Sequence, residues 1–475
     1  MTTKSQITIH QPPLSQLCLW RSRIIYTSAQ KESIMQNKPN FPRFCAKNSY
    51  LEEKQTQFKP IQTHFQPKYA QNKPNQTQFK TTPAQLFRNF NLLIIAKNWL
   101  SYLQMKKILA DRTDKIDSSG IRKVFALAAS MKEPINLSIG QPDFDVPQQL
   151  KDEAIKAIQE GQNKYSQTAG NSLLKEKIAE RIISEFSWEK PAILVSNGVS
   201  GGLMLAFLAL INPGDEVIIA DPYFVIYKHI INMLGGKCVF VDSYPEFALP
   251  VEKIAEAISE KTKLVIVNSP CNPTGVVYSQ ESVKALAEIA AEKDVVVMSD
   301  EIYEKFSYDG NCPSIANYYE KTILLRGFGK AYAMTGWRLG YVAVGESLKD
   351  VVEEMTKIQQ YTFVCAPTPF QQAAVAALDY DVGELVNAYR KKRDLVYEGL
   401  KDKFEVVKPG GAFYLFVKSP GKGRGSEFVE KAIANNVLII PGNVFSEKDT
   451  HFRISYAAGD EKLKRGIEIL RQLAE

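Results

Sequence analysis

A lysine, an arginine eight residues further on and glycines either side of a phenylalanine stand together in Arg326-Gly327-Phe328-Gly329-Lys330-Ala331-Tyr332-Ala333-Met334-Thr335-Gly336-Trp337-Arg338. A lysine amine attacks carbonyl groups once it is neutral. Arg338 is a permanent cation whose planar fork suits a phosphate or carboxylate. Glycines at 327 and 329 let the backbone approach a bulky ligand. Together these residues point to Schiff-base chemistry beside an anion site, although a lysine after a strand, taken alone, is usually a solvated surface residue.

Further stretches supply complementary groups. Asp300, in Ser299-Asp300-Glu301-Ile302-Tyr303, offers a carboxylate that could hold a ring nitrogen protonated; alone it reads equally well as a helix cap. Asn272, in Asn268-Ser269-Pro270-Cys271-Asn272-Pro273-Thr274-Gly275, and Tyr303 are hydrogen-bond donors, within what is otherwise ordinary turn chemistry. The Gly-rich Asn197-Gly198-Val199-Ser200-Gly201-Gly202 opens an apolar helix at Leu203–Ile211, so free N–H groups at its start would meet a phosphate. It lacks the P-loop lysine, which disfavours a nucleoside triphosphate. Phe224, after Pro222-Tyr223, could stack on an aromatic ring, or be core. Arg453 interrupts the apolar strand Phe452-Arg453-Ile454-Ser455 and needs an anion, either a bound carboxylate or a structural partner. An amine, a carboxylate for a ring nitrogen, donors for a ring oxygen, a phosphate cradle and a flat face are the parts of a pyridoxal phosphate site.

Elements must carry these residues to one place. Apolar, β-branched runs at Val217–Ala220, Leu264–Val267, Val295–Met298 and Thr322–Leu325 predict strands. Helical segments alternate with them, which predicts an α/β architecture of three layers, a largely parallel sheet with helices on both faces. The runs end at Asp221-Pro222, Asn268-Ser269, Ser299-Asp300 and Arg326 leading to Lys330, and parallel strands would gather these ends on one ligand-binding rim. Upstream, Leu150, Ala154, Ile155 and Ile158, then Leu174, Ile178, Ile182 and Phe186, recur at helical spacing. Helical periodicity also dominates from Glu346 to about Leu400, broken near Ala366-Pro367. Strands at Ala412–Val417, Val437–Ile440 and Phe452–Tyr456, mixed with helices, predict a smaller α+β domain closing over the cleft. The expected division is an N-terminal arm with part of the small domain at 105–148, a large domain at 149–370 and a small C-terminal domain at 371–475.

Composition bounds the alternatives. Of 475 residues, 45% are hydrophobic and 23% charged, ordinary globular proportions. No apolar run approaches the roughly eighteen residues that span a bilayer, and the first residues lack a secretory signal. No membrane association is expected, and a cytoplasmic location is. The six cysteines have no C-x-x-C pair or zinc-like spacing, and only His229 and His451 lie beyond position 104, so no metal site is expected and a Ser/His/Asp triad has little material. The net charge of +7 divides unevenly: residues 1–104 hold 14 Lys+Arg and 3 Asp+Glu, the remainder 45 and 49. The body is mildly acidic and gives no reason to expect nucleic-acid binding.

The first 104 residues differ in kind. From Gln55, four seven-residue units follow one another, QTQFKPI, QTHFQPK, YAQNKPN and QTQFKTT, without an apolar seam and with recurring prolines. Such a composition buries too little apolar surface to offset chain entropy, so a disordered low-complexity leader is expected. Met105, heading Met105-Lys106-Lys107-Ile108-Leu109, is the expected native start; a targeting or interaction tail is the other reading.

Seen jointly, the NPTG, SDEIY, lysine-segment and FRIS stretches resemble the fold-type I pyridoxal-phosphate aminotransferases, class I/II, the aspartate-aminotransferase-like family, over about residues 108–475. That resemblance implies a two-domain α/β fold and pyridoxal 5'-phosphate as cofactor. It implies ping-pong transfer of an amino group from an L-amino acid to a 2-oxo acid, with 2-oxoglutarate the expected acceptor. It makes Lys330 the lysine bonded to the cofactor and the proton shuttle, Asp300 the ring-nitrogen partner, and Asn272 and Tyr303 the ring-oxygen donors. Ser200, Gly201 and Arg338 match phosphate-binding positions, Phe224 the stacking position, and Gly140, Asn272 and Arg453 the substrate-carboxylate contacts. Tyr165 matches a tyrosine that reaches the phosphate of a neighbouring subunit, which implies a homodimer with shared sites. Three positions depart from the pattern: Gly327 stands where a serine is usual, Ser200 where some acidic-substrate members carry lysine, and Phe224 where tryptophan is frequent. A less cationic pocket follows, and aromatic or aliphatic donors gain ground beside aspartate. A Cβ lyase on the same scaffold and an aminotransferase-like transcription regulator are the alternatives, the latter requiring a DNA-binding domain of which residues 1–104 show no helical pattern.

Overall fold

The computed structural model describes residues 108–118 and 120–475. The expected leader at 1–104 and the expected start at Met105 lie outside these residues. Among the described residues the strands are β1 (Ile135–Asn136), β2 (Ala192–Ser196), β3 (Glu216–Asp221), β4 (Lys237–Asp242), β5 (Thr262–Asn268), β6 (Val296–Asp300), β7 (Thr322–Gly327), β8 (Gly340–Val344), β9 (Tyr414–Lys418), β10 (Val437–Leu438), β11 (Ile440–Pro441) and β12 (His451–Ser455).

Seven of them form one sheet in the order β2-β8-β7-β6-β5-β3-β4. The pairs among β3, β4, β5, β6 and β7 are parallel, while β8 runs antiparallel to both β2 and β7. The expected largely parallel α/β sheet is therefore present. Side chains alternate between its two faces. Ile219, Ile266 and Met298 pack with Leu203, Phe207 and Met355 from the helices Gly198–Leu210 and Lys349–Thr362. Their neighbours Ile218, Val265 and Val297 pack instead with Ile254, Leu286 and Ala290 from Val251–Ala257 and Gln280–Glu292. Burial on both faces explains why these strands read as continuous apolar runs.

Three strands escaped the sequence reading. β2, β4 and β8 are apolar runs of five or six residues, and periodicity alone does not separate such runs from buried helix. The helical stretch after Glu346 is broken twice: Lys349–Thr362, Thr368–Ala377 and Gly383–Leu400 are separate helices. At the second break the Asp381 carboxylate accepts from the Gly383 N–H at 2.8 Å. The Gly-rich stretch read as leading into a helix at Leu203 is itself helical from Gly198. Burial of Val199, Leu203 and Phe207 in the sheet core overrides the low helix propensity of its glycines.

The residues beyond 400 contribute a second, antiparallel sheet, β11-β12-β9, in which Arg453 of β12 lies opposite Phe416 and Ile440. β1 pairs in parallel with β10, joining the beginning of the described chain to this region.

Two features fix the rim at β6 and β7. Glu301, immediately after β6, is buried and receives both Nε and Nη2 of Arg326 in β7, at 3.0 and 2.9 Å. Its N–H donates to the Leu325 carbonyl at 2.9 Å. The connection from β7 to β8 is closed at its base, where Gly327 lies opposite Gly340 and the Phe328 N–H donates to the Leu339 carbonyl at 3.2 Å. Lys330 and Arg338 both lie on this loop.

Candidate active site

The carboxyl ends of β5, β6 and β7 open into a cavity of about 840 Å³ whose wall includes Asn268, Asp300 and Lys330. This is large enough for a cofactor with a small substrate. Asp221, at the end of β3, was expected on the same rim. It is buried and instead binds the Glu447 N–H at 3.1 Å, while Phe224 just beyond it reaches the cavity.

Lys330 is half-buried, and its Nζ donates to the Gly140 carbonyl at 2.6 Å. Burial lowers its pKa to about 8, helped by the positive Arg453 and Arg338 and opposed by Asp300. A useful fraction of neutral amine therefore exists near neutral pH, which nucleophilic attack on a carbonyl requires.

Asp300 is buried at the end of β6. Burial raises its pKa to about 6, against the stabilising bonds that the carboxylate receives from the Tyr227 hydroxyl at 2.6 Å and the Ile302 N–H at 3.3 Å. A carboxylate so placed gains from a cationic N–H partner. Asn268 donates to the Asp300 carbonyl at 2.9 Å and accepts the Asn272 N–H at 2.9 Å, so it couples β5, β6 and the Asn-Pro turn.

Arg453 is 1% exposed. Its guanidinium donates to the Asn272 side-chain oxygen at 2.9 Å and the Ser138 carbonyl at 2.8 Å, and lies over the rings of Tyr414 and Phe445. The structural ion pair weighed from the sequence is not seen: among the described residues no carboxylate pairs with it. Its Nε has no hydrogen-bond partner there. A buried charge with only neutral acceptors calls for an anion from outside the chain.

The phosphate candidates gather at the start of the helix Gly198–Leu210. Ser200 lies in its first turn, and the Arg338 guanidinium packs on Gly198, its Nη2 2.9 Å from where a Cβ would stand. Free N–H groups and the helix dipole favour an anion there. Ser200, Phe224, Asn272, Tyr303, Gly140 and Arg338 all reach the cavity. Gly201 does not line it; helical winding places this residue toward Asn197 and Phe363. Tyr165 does not line it either and is 82% exposed.

The sequence reading missed Tyr227 and Tyr414. The Tyr414 and Tyr303 hydroxyls are 2.8 Å apart. Each missed tyrosine lies in an apolar run, so only the tertiary arrangement reveals its polar partner. Among the described residues no cluster of three metal-ligating side chains was found, and no helix is long and apolar enough to cross a membrane.

These groups match the parts of a pyridine aldehyde phosphate: an amine for the carbonyl, a carboxylate for the ring N–H, an anion cradle, and the unfilled Arg453 donor for a substrate carboxylate. The comparisons agree. The family model described as aminotransferase class I and II matches residues 132–470. A probable aspartate aminotransferase of Methanocaldococcus jannaschii is 41% identical over 377 residues, covering 78% of this chain and 100% of that protein. Aromatic-amino-acid aminotransferase 2 of Thermococcus litoralis is 36% identical, covering 77% and 98%. Among solved structures, aspartate aminotransferase from Thermus thermophilus with maleate superposes with a TM-score of 0.74 at 34% identity, covering 77% of this chain and 99% of that one. The comparisons do not favour the lyase or regulator alternatives.

Proposed function

This chain belongs to the class I and II aminotransferases and is a pyridoxal-phosphate-dependent transaminase; from that membership we propose that it moves the amino group of an aromatic or aliphatic L-amino acid, or of aspartate, to 2-oxoglutarate by a ping-pong mechanism. The observation that carries the reading is the convergence of Lys330, Asp300 and the unpaired Arg453 on one cavity. Relatives named for aspartate and for aromatic amino acids support those two donor classes.

Bound in the cavity, pyridoxal phosphate supplies a carbonyl for the amino group and an electron-withdrawing ring. We assign Lys330 to hold its aldehyde carbon and, once released, to carry the proton at the substrate α-carbon. The Gly140 carbonyl orients the Lys330 amine. Asp300 keeps a proton on the ring nitrogen, and Tyr227 holds the Asp300 carboxylate in place. Asn272 spends its side-chain oxygen on Arg453, so its amide N–H remains for the ring oxygen alongside the Tyr303 hydroxyl. Ser200, the backbone around Gly201 and Arg338 hold the phosphate, and Phe224 covers a ring face. Arg453, with Asn272 and Gly140, grips the substrate α-carboxylate.

We further propose a cytoplasmic homodimer in which the exposed Tyr165 serves the partner subunit's phosphate site, and an arm, large-domain and small-domain division at 105–148, 149–370 and 371–475. Borohydride reduction of the holoenzyme with peptide mapping tests the centre of the assignment: the label belongs on Lys330, and a label on another lysine overturns it. A panel of amino acids assayed against 2-oxoglutarate tests the reaction and defines the donor.

A further inference from the structure

One wall of the cavity comes from the chain ahead of β1: Ile116, Asp117, Ile121 and Arg122, the last two on the helix Gly120–Ala128. Most of the charged groups around the cavity already have a described place, Lys330 at the centre of the site among them. Arg338 lies at the helix start suited to a phosphate, Arg453 holds an unfilled donor for the α-carboxylate, and Asp300 faces the ring-nitrogen role. Asp117 lies in the electrostatic neighbourhood of His229, another wall residue, whose pKa it raises against the dominant lowering by burial. Arg122 is the cation left over. It is exposed at the wall, and none of the ion pairs or side-chain hydrogen bonds seen among the described residues satisfies it. Ile116 and Ile121 beside it offer apolar surface for a methylene chain. Ser200 adds no competing charge.

We propose that Arg122 binds the second carboxylate of a dicarboxylic substrate, 2-oxoglutarate or an acidic amino acid, and so sets the preference of the enzyme for acidic over neutral side chains. This rests on the transaminase reading above and adds a specificity-determining residue to it. A guanidinium presents a fork that matches a carboxylate, and the substrate end that is not held by Arg453 is where an acidic chain differs from a neutral one.

The test compares wild-type holoenzyme with Arg122→Gln and Arg122→Lys. The readout is the ratio of kcat/KM for 2-oxoglutarate to that for 4-methyl-2-oxopentanoate, with one common amino donor. Glutarate and butyrate dissociation constants, from titration of the cofactor absorbance, give a second readout without turnover. Arg122→Gln should lower the ratio by about tenfold or more and weaken glutarate relative to butyrate, as loss of a charge-assisted hydrogen bond requires; Arg122→Lys should recover part of both. A ratio and relative affinities that stay within about twofold overturn the proposal. So does a wild-type enzyme that transaminates neutral substrates but rejects 2-oxoglutarate. A wild-type protein that transaminates no pair overturns the functional reading itself, which the other outcomes leave standing.

Discussion

The Tyr227 hydroxyl donates to the Asp300 carboxylate at 2.6 Å, linking the helix Ile226–Leu234 to the end of β6. A hydrogen bond to the charged form opposes the burial that raises the Asp300 pKa. Tyr227→Phe removes that opposition, so the carboxylate becomes easier to protonate. The acid limb of the kcat/KM profile should move toward neutral pH by about one unit. An unshifted limb, measured with cofactor binding intact, argues that Tyr227 only fills space.

Lys330 makes a second pH prediction. Burial and neighbouring cations favour its neutral form, with a pKa of about 8. Only the neutral amine attacks a carbonyl, so the rate at which cofactor-free protein takes up pyridoxal phosphate should rise as pH increases through about 8 and then level off. Stopped-flow absorbance follows this directly. Lys330→Ala should lose the absorption of the lysine-bound cofactor and nearly all turnover.

Arg453 is held by two neutral oxygens and two aromatic faces, a geometry that a lysine ammonium does not reproduce. Arg453→Lys should lower kcat/KM for every amino acid and oxo acid by roughly two to three orders of magnitude, the effect of losing about 3–4 kcal/mol from a buried charged pair. Cofactor affinity should change far less. Equal losses in both would place Arg453 in the general architecture of the cleft.

Gly327 ends β7 under close cover. A Cβ there would stand 3.1 Å from Ile302 Cδ1 and Val199 Cγ2 and 3.2 Å from the Gly340 Cα. Gly327→Ser therefore has to displace its neighbours, and overpacking of this kind costs about 1–3 kcal/mol. Denaturant unfolding should show that loss, and the cofactor dissociation constant should not improve. Tighter binding at unchanged stability would show that the pocket had room for the hydroxyl.

The parts of the site that were readable from the chain are those whose chemistry conflicts with their surroundings. Arg453 interrupts an apolar strand, Asp300 ends one, and Lys330 follows one, so each needs a reason to be there. Tyr227 and Tyr414 give no such signal, because a tyrosine in an apolar run is ordinary core until its hydroxyl finds a partner through the fold. The strands β5, β6 and β7 were legible because both faces are buried. β8 was hidden behind the lysine segment, where glycines and a loop mask a short apolar run, and its antiparallel direction depends on pairings that no local pattern encodes. Arg122 gained meaning only when the residues ahead of β1 were found along the cavity.

The closed connection between β7 and β8 carries Lys330 and Arg338 on a single loop. Lys330 lies near one foot of that loop and Arg338 near the other, with the Phe328 N–H bonded to the Leu339 carbonyl between them. On the roles proposed for Lys330 and Arg338, this one loop carries both the group for a carbonyl carbon and the group for an anion. A substitution that opens the Phe328–Leu339 closure would therefore disturb both positions together.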